Sequence, residues 1–63
     1  MNVFIPWKGR EEIHGVFLTL AEAVAQKIHP DDPIDEYEVG KTERIRSYTP
    51  NGELWWANGE DVR

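Results

Sequence analysis

The run Arg44-Ile45-Arg46-Ser47-Tyr48-Thr49-Pro50-Asn51-Gly52-Glu53-Leu54-Trp55-Trp56-Ala57 breaks into two strand-like halves at Asn51-Gly52. An Asn-Gly pair between β-forming segments is a strong local signal for a hairpin. Two of the three tryptophans stand side by side on the return half. Neighbours along a strand point to opposite faces, so the pattern predicts one tryptophan turned inward and the other outward.

Two registers fit this hairpin. With Asn51-Gly52 as a two-residue type I′ loop, Tyr48 opposes Trp55 and Ser47 opposes Trp56. Ile45, Leu54 and Trp56 then share one face, and Arg46, Tyr48, Glu53 and Trp55 the other. With Pro50 at the first corner of a type I turn and Gly52 as a bulge, the pairing slips by one residue, and Trp56 joins Arg46, Tyr48 and Leu54. The first register separates apolar from polar side chains better. It makes Trp55, Tyr48 and Arg46 a candidate protein-binding cluster, the composition enriched at interface hot spots. Arg46 over the Trp55 ring is an alternative, purely structural use of the pair. Trp7 and Trp56 are expected in the core.

Upstream, Val3-Phe4-Ile5-Pro6-Trp7 reads as a strand with an edge position near Pro6, which has no amide proton to donate. Gly9-Arg10-Glu11-Glu12 reads as a turn and Ile13 to Leu18 as the antiparallel return strand. Thr19-Leu20-Ala21-Glu22 is a capping box opening a helix, with Leu20, Val24 and Ile28 on one face. His29 before Pro30 ends that helix. Ile34 to Val39 predicts a third strand, with Glu36 and Glu38 on a wet face. Gly40-Lys41-Thr42 reads as a turn. The sum is an α+β single domain over 1–63, an antiparallel ββαβββ-like sheet with one helix packed on one face and a frayed tail at 58–63.

Sixty-three residues without cysteine leave room for one core layer and no disulfide staple. A chain of this size buries only about 60% of its unfolded surface, so stability must come from good packing or self-association. The net charge of −5 is unevenly placed. Residues 1–30 hold three acids and three bases, whereas residues 31–63 hold nine acids and four bases. Asp31, Asp32, Asp35, Glu36 and Glu38 form an acidic edge without an intervening base. That pattern opposes direct nucleic-acid binding, which needs clustered Lys and Arg. It suits either a solvated edge or docking on a basic protein surface. Carboxylates standing in for phosphates at a basic groove are a sharper variant of the second use.

Residues 3–39 resemble a family of short uncharacterised proteins from bacteria and their phages. The resemblance rests on Val3-Phe4-Ile5-Pro6-Trp7, Gly15-Val16-Phe17-Leu18-Thr19, the Ala-rich helix and Asp35-Glu36-Tyr37-Glu38-Val39. It implies a fold and a bacterial or phage setting, with no activity or site residues attached.

Catalytic and metal motifs are not found. His14 and His29 lack a second histidine at ligand spacing, Ser47 lacks a Gly-x-Ser-x-Gly context, and Gly40-Lys41-Thr42 lacks the upstream glycine of a phosphate loop. We therefore expect a small acidic protein-binding regulator or inhibitor, phage-encoded and acting on a host protein, and not an enzyme. Its contacts would be Trp55, Tyr48, Arg46, Asp31, Asp32, Asp35, Glu36 and Glu38, with no cofactor and no metal. The alternative is a self-associating accessory protein, a homodimer with no separate partner. The chain reads as a complete short gene product with neither signal peptide nor membrane span, placed in the cytoplasm.

Overall fold

The computed structural model describes residues 1–8, 12–13, 15–26 and 32–62. In chain order the elements are β1 (Asn2–Lys8), β2 (Glu12–Ile13), α1 (Leu20–Val24), β3 (Ile34–Glu38), β4 (Arg44–Tyr48), β5 (Leu54–Ala57) and β6 (Glu60–Asp61). The strands form one antiparallel sheet in the order β2-β1-β3-β4-β5-β6. The α+β class holds, but the predicted ββαβββ order is corrected by a sixth strand. Residues expected as a tail turn at Asn58-Gly59 and pair Ala57 with Glu60 and Trp56 with Asp61. Positive φ at both Asn58 (52°) and Gly59 (89°) makes this a type I′ loop.

The other Asn-Gly pair behaves differently. Gly52 N–H donates to the Thr49 carbonyl, and Gly52 has φ +90° while Asn51 stays out of the left-handed region. Pro50 explains this: its φ is preset for the first corner of a type I turn, and as the residue flanking a type I′ Asn51-Gly52 loop it would have no N–H to give the Glu53 carbonyl, which instead accepts from Thr49 N–H. Tyr48 consequently opposes Leu54, as in the slipped register. A β-bulge then leaves Trp55 without an opposite residue, and Ser47 opposes Trp56, as in the unslipped one. Each predicted register is thus present in one half of the hairpin.

Other boundaries also shift. The predicted strand Ile13 to Leu18 reduces to β2 and a single bridge in which Phe17 exchanges both backbone bonds with Phe4. Gly15, at φ +117°, lies between them. Pro6 sits on this outer side of β1, where its missing amide removes no bond to β3. The third strand ends at Glu38 rather than Val39, which enters a turn with Gly40. Thr19 caps α1 as expected, with its Oγ1 accepting from Glu22 N–H; the hydroxyl also donates to the Glu22 carboxylate. Ile28, His29 and Pro30 lie outside the described residues.

Register assigns the two faces of the sheet. Asn2, Phe4, Pro6, Ile34, Glu36, Arg46, Tyr48 and Leu54 share one. Val3, Ile5, Trp7, Asp35, Tyr37, Ser47 and Trp56 share the other. The chain passes from Phe17, outside β1, to Ile34, on the far side of β1, and so must cross one face. The right-handed sense of such connections puts α1 over the Phe4 face. Burial agrees: Ala23 of the helix and Pro6 and Ile34 of that face are the buried apolar residues among those described.

Gly52 is the point where the hairpin meets the helix. A Cβ there would lie 3.1 Å from Val24 Cγ2. Gly59 shares the positive φ but faces open space. Gly59→Ala is expected to lose the backbone cost alone, about 1–2 kcal/mol. Gly52→Ala is expected to lose more, because Val24 must also move. Urea unfolding of the two variants checks the order.

Candidate functional site

The centre of the sheet is polar. Asp35 and Glu36 are consecutive on β3, so their carboxylates leave the strand on opposite faces, and both are buried. Burying a carboxylate is costly unless it is paired and hydrogen-bonded. Each of these two is supplied by the strands on either side.

On the helix-covered face, Glu36 accepts from Asn2 Nδ2 at 2.7 Å, Tyr48 Oη at 2.7 Å and Arg46 Nη1 at 2.9 Å. Phe4 packs beside Tyr48, with ring centroids 6.0 Å apart. Burial alone pushes the Glu36 carboxyl up. The hydrogen bonds from Tyr48, Arg46 and Asn2, with the Arg46 charge, outweigh it and hold the group below its ordinary value. Burial, then the bond to Glu36, pushes the Tyr48 phenol up.

On the open face, Trp7 Nε1–H donates to Asp35 Oδ2 at 2.8 Å, and Ser47 Oγ–H donates to Asp35 Oδ1. Arg44 Nη1 stands 3.6 Å from Asp35 Oδ1. The Arg44 guanidinium also lies over the tryptophans, 3.9 Å from the Trp56 ring centroid and 6.0 Å from that of Trp55. Both tryptophans therefore lie on the Arg44 side.

This arrangement corrects the predicted cluster. The bulge at Trp55 breaks the alternation that would have put it beside Tyr48 and Arg46. Tyr48 and Arg46 instead serve Glu36 on the other face, and the cation over Trp55 is Arg44, not Arg46. Trp7, Trp55 and Trp56 are all half-buried, so none of them occupies a closed core.

The predicted acidic edge is also divided. Asp35 and Glu36 are internal, Asp32 is half-buried and Glu38 is exposed. Asp31 lies outside the described residues, as do His14 and His29. Glu38 lines an open groove with Lys41, Glu43, Arg44, Ile45 and Trp56, between the β3–β4 and β5–β6 connections. Among the described residues no group of acids or histidines is placed to hold a metal ion, and no described helix is long and apolar enough to cross a membrane.

Sequence reasoning missed Arg44, Ser47 and the Trp7 indole as partners of Asp35, and Asn2 as a partner of Glu36. The available signal was Asp35-Glu36 set between the strand formers Ile34 and Tyr37. Two acids on opposite faces of a central strand require donors on both sides.

The open face is the candidate docking surface. No described helix or strand lies over Val3, Ile5, Trp7, Tyr37 and Trp56, and the exposed Ile13 extends it beside Trp7. The chain matches no family model, no curated protein and no solved structure.

Because the folded-state value of Glu36 lies below its ordinary one, its contribution is fully present above the ordinary carboxylate range and is lost as pH falls through the lowered value. Urea unfolding across an acid pH series is expected to show stability falling in that window. In Glu36→Gln the slope should flatten, and stability at neutral pH should drop by roughly 1–3 kcal/mol.

Proposed function

We propose that this protein is a small protein-binding regulator that docks on its partner through the open sheet face. The observation that carries the reading is the composition of that face. An antiparallel sheet with one side packed on a helix ordinarily turns polar residues to solvent on the other. Here the side away from the helix bears Val3, Ile5, Trp7, Tyr37 and Trp56, with Trp55 beside Arg44. Apolar surface rich in tryptophan and arginine is characteristic of interface centres.

Charge at one end of the face gives the partner a chemistry. Around the end near Trp56 the exposed acids Glu38, Glu43, Glu60 and Asp61 outnumber the exposed base Lys41. A partner with an apolar patch flanked by lysine or arginine would complement it, and the acids would speed the encounter. A host protein bound by a phage or bacterial regulator is the setting we favour. The reading is of a binder rather than an enzyme. It is supported by the placement of Ser47, which is fully buried, and of Asp35 and Glu36, whose lone pairs are already engaged.

Affinity capture from bacterial lysate tests this, with Trp56→Ala and Tyr48→Phe in parallel. We expect an enriched protein whose recovery falls at least about tenfold in Trp56→Ala and declines with salt. Tyr48→Phe, altered on the helix-covered face, should retain it. Equal capture by wild type and Trp56→Ala would remove the open face from the account.

A further inference from the structure

The segment Val16-Phe17-Leu18 lies along the outer side of β1, joined to it by the single bridge between Phe17 and Phe4. We propose that this segment is a strand-addition site. Its occupant is an extended, basic stretch of a partner protein with apolar side chains at alternate positions. The inference rests on the reading of this protein as a binder and adds a contact beside the open face.

Backbone geometry carries the argument. Phe17 exchanges both of its backbone hydrogen bonds with Phe4, at 2.7 and 2.9 Å, so its N–H and C=O point towards β1. The described peptide bonds are all trans, and a planar trans peptide turns its C=O and N–H in opposite directions. The Val16 carbonyl and the Leu18 N–H therefore both point away from the sheet. Neither meets a backbone partner among the described residues. One acceptor and one donor flanking a single residue are what an edge strand offers to an incoming chain.

The side chains at this edge suit the same use. Pairing puts Phe17 on the Phe4 side, so alternation turns Val16 and Leu18 to the open face. They are 54% and 63% exposed, whereas the neighbouring Val3 and Ile5 are half-buried. In an added strand, the residues on either side of the one opposite Phe17 would lie next to Val16 and Leu18. Apolar side chains at those alternate positions would cover both.

Elsewhere the sheet edges are guarded. β6 presents Glu60 and Asp61, and β2 begins with Glu12, all three exposed. Charged side chains on short edge strands deter pairing. Val16-Phe17-Leu18 contains neither a charge nor a proline. Gly15, at φ +117°, closes one end of it, and Thr19, the cap of α1, closes the other. So short an opening accepts one segment and does not template a longer sheet. Charge selects the segment: the chain carries −5 and Glu12 stands on the same side of β1, which favours lysine or arginine in the incoming strand. The same charge disfavours a second copy of this chain there.

Selection of short random peptides on the immobilised protein, from a display library, tests the proposal. Selected peptides are remade with a fluorescent label, and their affinity is read by anisotropy on wild type, Leu18→Lys, Leu18→Pro and Trp56→Ala. Circular dichroism checks that each protein is folded. We expect peptides of net positive charge with apolar residues at alternate positions. Leu18→Pro removes the outward donor and Leu18→Lys places a like charge beside the peptide, so each should weaken binding at least about tenfold. Leu18 is already exposed, and its lysine variant keeps the test decisive if the proline variant fails to fold. Trp56→Ala, four strand spacings or roughly 19 Å away, should bind as wild type does. Of two peptide versions N-methylated on alternate amides, only the one blocked on its edge-facing amides should lose affinity. An empty selection overturns the proposal, as do peptides that bind Leu18→Lys like wild type or tolerate both methylated versions. A wild-type mass that doubles from 7.3 kDa and reverts in Leu18→Lys identifies a second copy as the occupant and overturns the partner segment. Peptides lost in Trp56→Ala but kept in Leu18→Lys overturn the edge and leave docking on the open face standing. The expected peptide behaviour, with equal lysate capture by wild type and Trp56→Ala, upholds the edge and removes the open face.

Discussion

Two adjacent buried carboxylates govern this sheet. Asp35 and Glu36 occupy the central strand, and a strand turns consecutive side chains to opposite sides. Each therefore needs its own set of donors, and those donors come from β1 and β4, the two strands that flank β3. Asn2, Arg46 and Tyr48 converge on Glu36; Trp7, Ser47 and Arg44 converge on Asp35. A one-residue slip of either neighbour would put donors on the wrong face and leave a buried charge unpaired, which is far more costly than a lost surface contact. With so little hydrocarbon buried among the described residues, this polar pairing supplies much of what specifies the register.

The same constraint determines what the surface offers. Arg44 reaches Asp35 and lies across the Trp56 ring, so a structural ion pair also orients the aromatic side of the sheet. The helix is committed to the Phe4 and Ile34 side, where Ala23 permits close approach. Nothing among the described elements does the same for Val3, Ile5 and Tyr37. This half-buried apolar sheet face is thus held in shape by the fold's own ion pair, and little ordering cost would remain for the docking proposed here.

Much of the fold was legible from local chemistry. Alternation in Asn2 to Lys8 and Ile34 to Glu38, the Thr19 cap and the C-terminal hairpin all appear close to where residue type predicts them. What local patterns could not supply was the outcome where two of them compete. Pro50 and Asn51-Gly52 call for different turns, and Pro50 prevails because it is preset for a type I corner and has no N–H to close the pair that would flank a type I′ loop. The bulge at Trp55 then restores the pairing of Ser47 with Trp56, a correction that depends on Asp35 needing Ser47 and on no local signal. The Trp55, Tyr48 and Arg46 cluster was misread for that reason. Asp35 and Glu36 looked like solvated acids because their donors lie 9 to 34 residues away in sequence.

Assignment of nuclear Overhauser contacts around the aromatic rings would test this two-sided arrangement most directly. The account predicts that the Arg44 side chain contacts both the Trp55 and Trp56 indoles, while the Tyr48 ring contacts Phe4 and neither tryptophan. Strong contacts between the Trp55 and Tyr48 rings would place them on one face. That result would remove the bulge, dissolve the open aromatic surface and contradict the account.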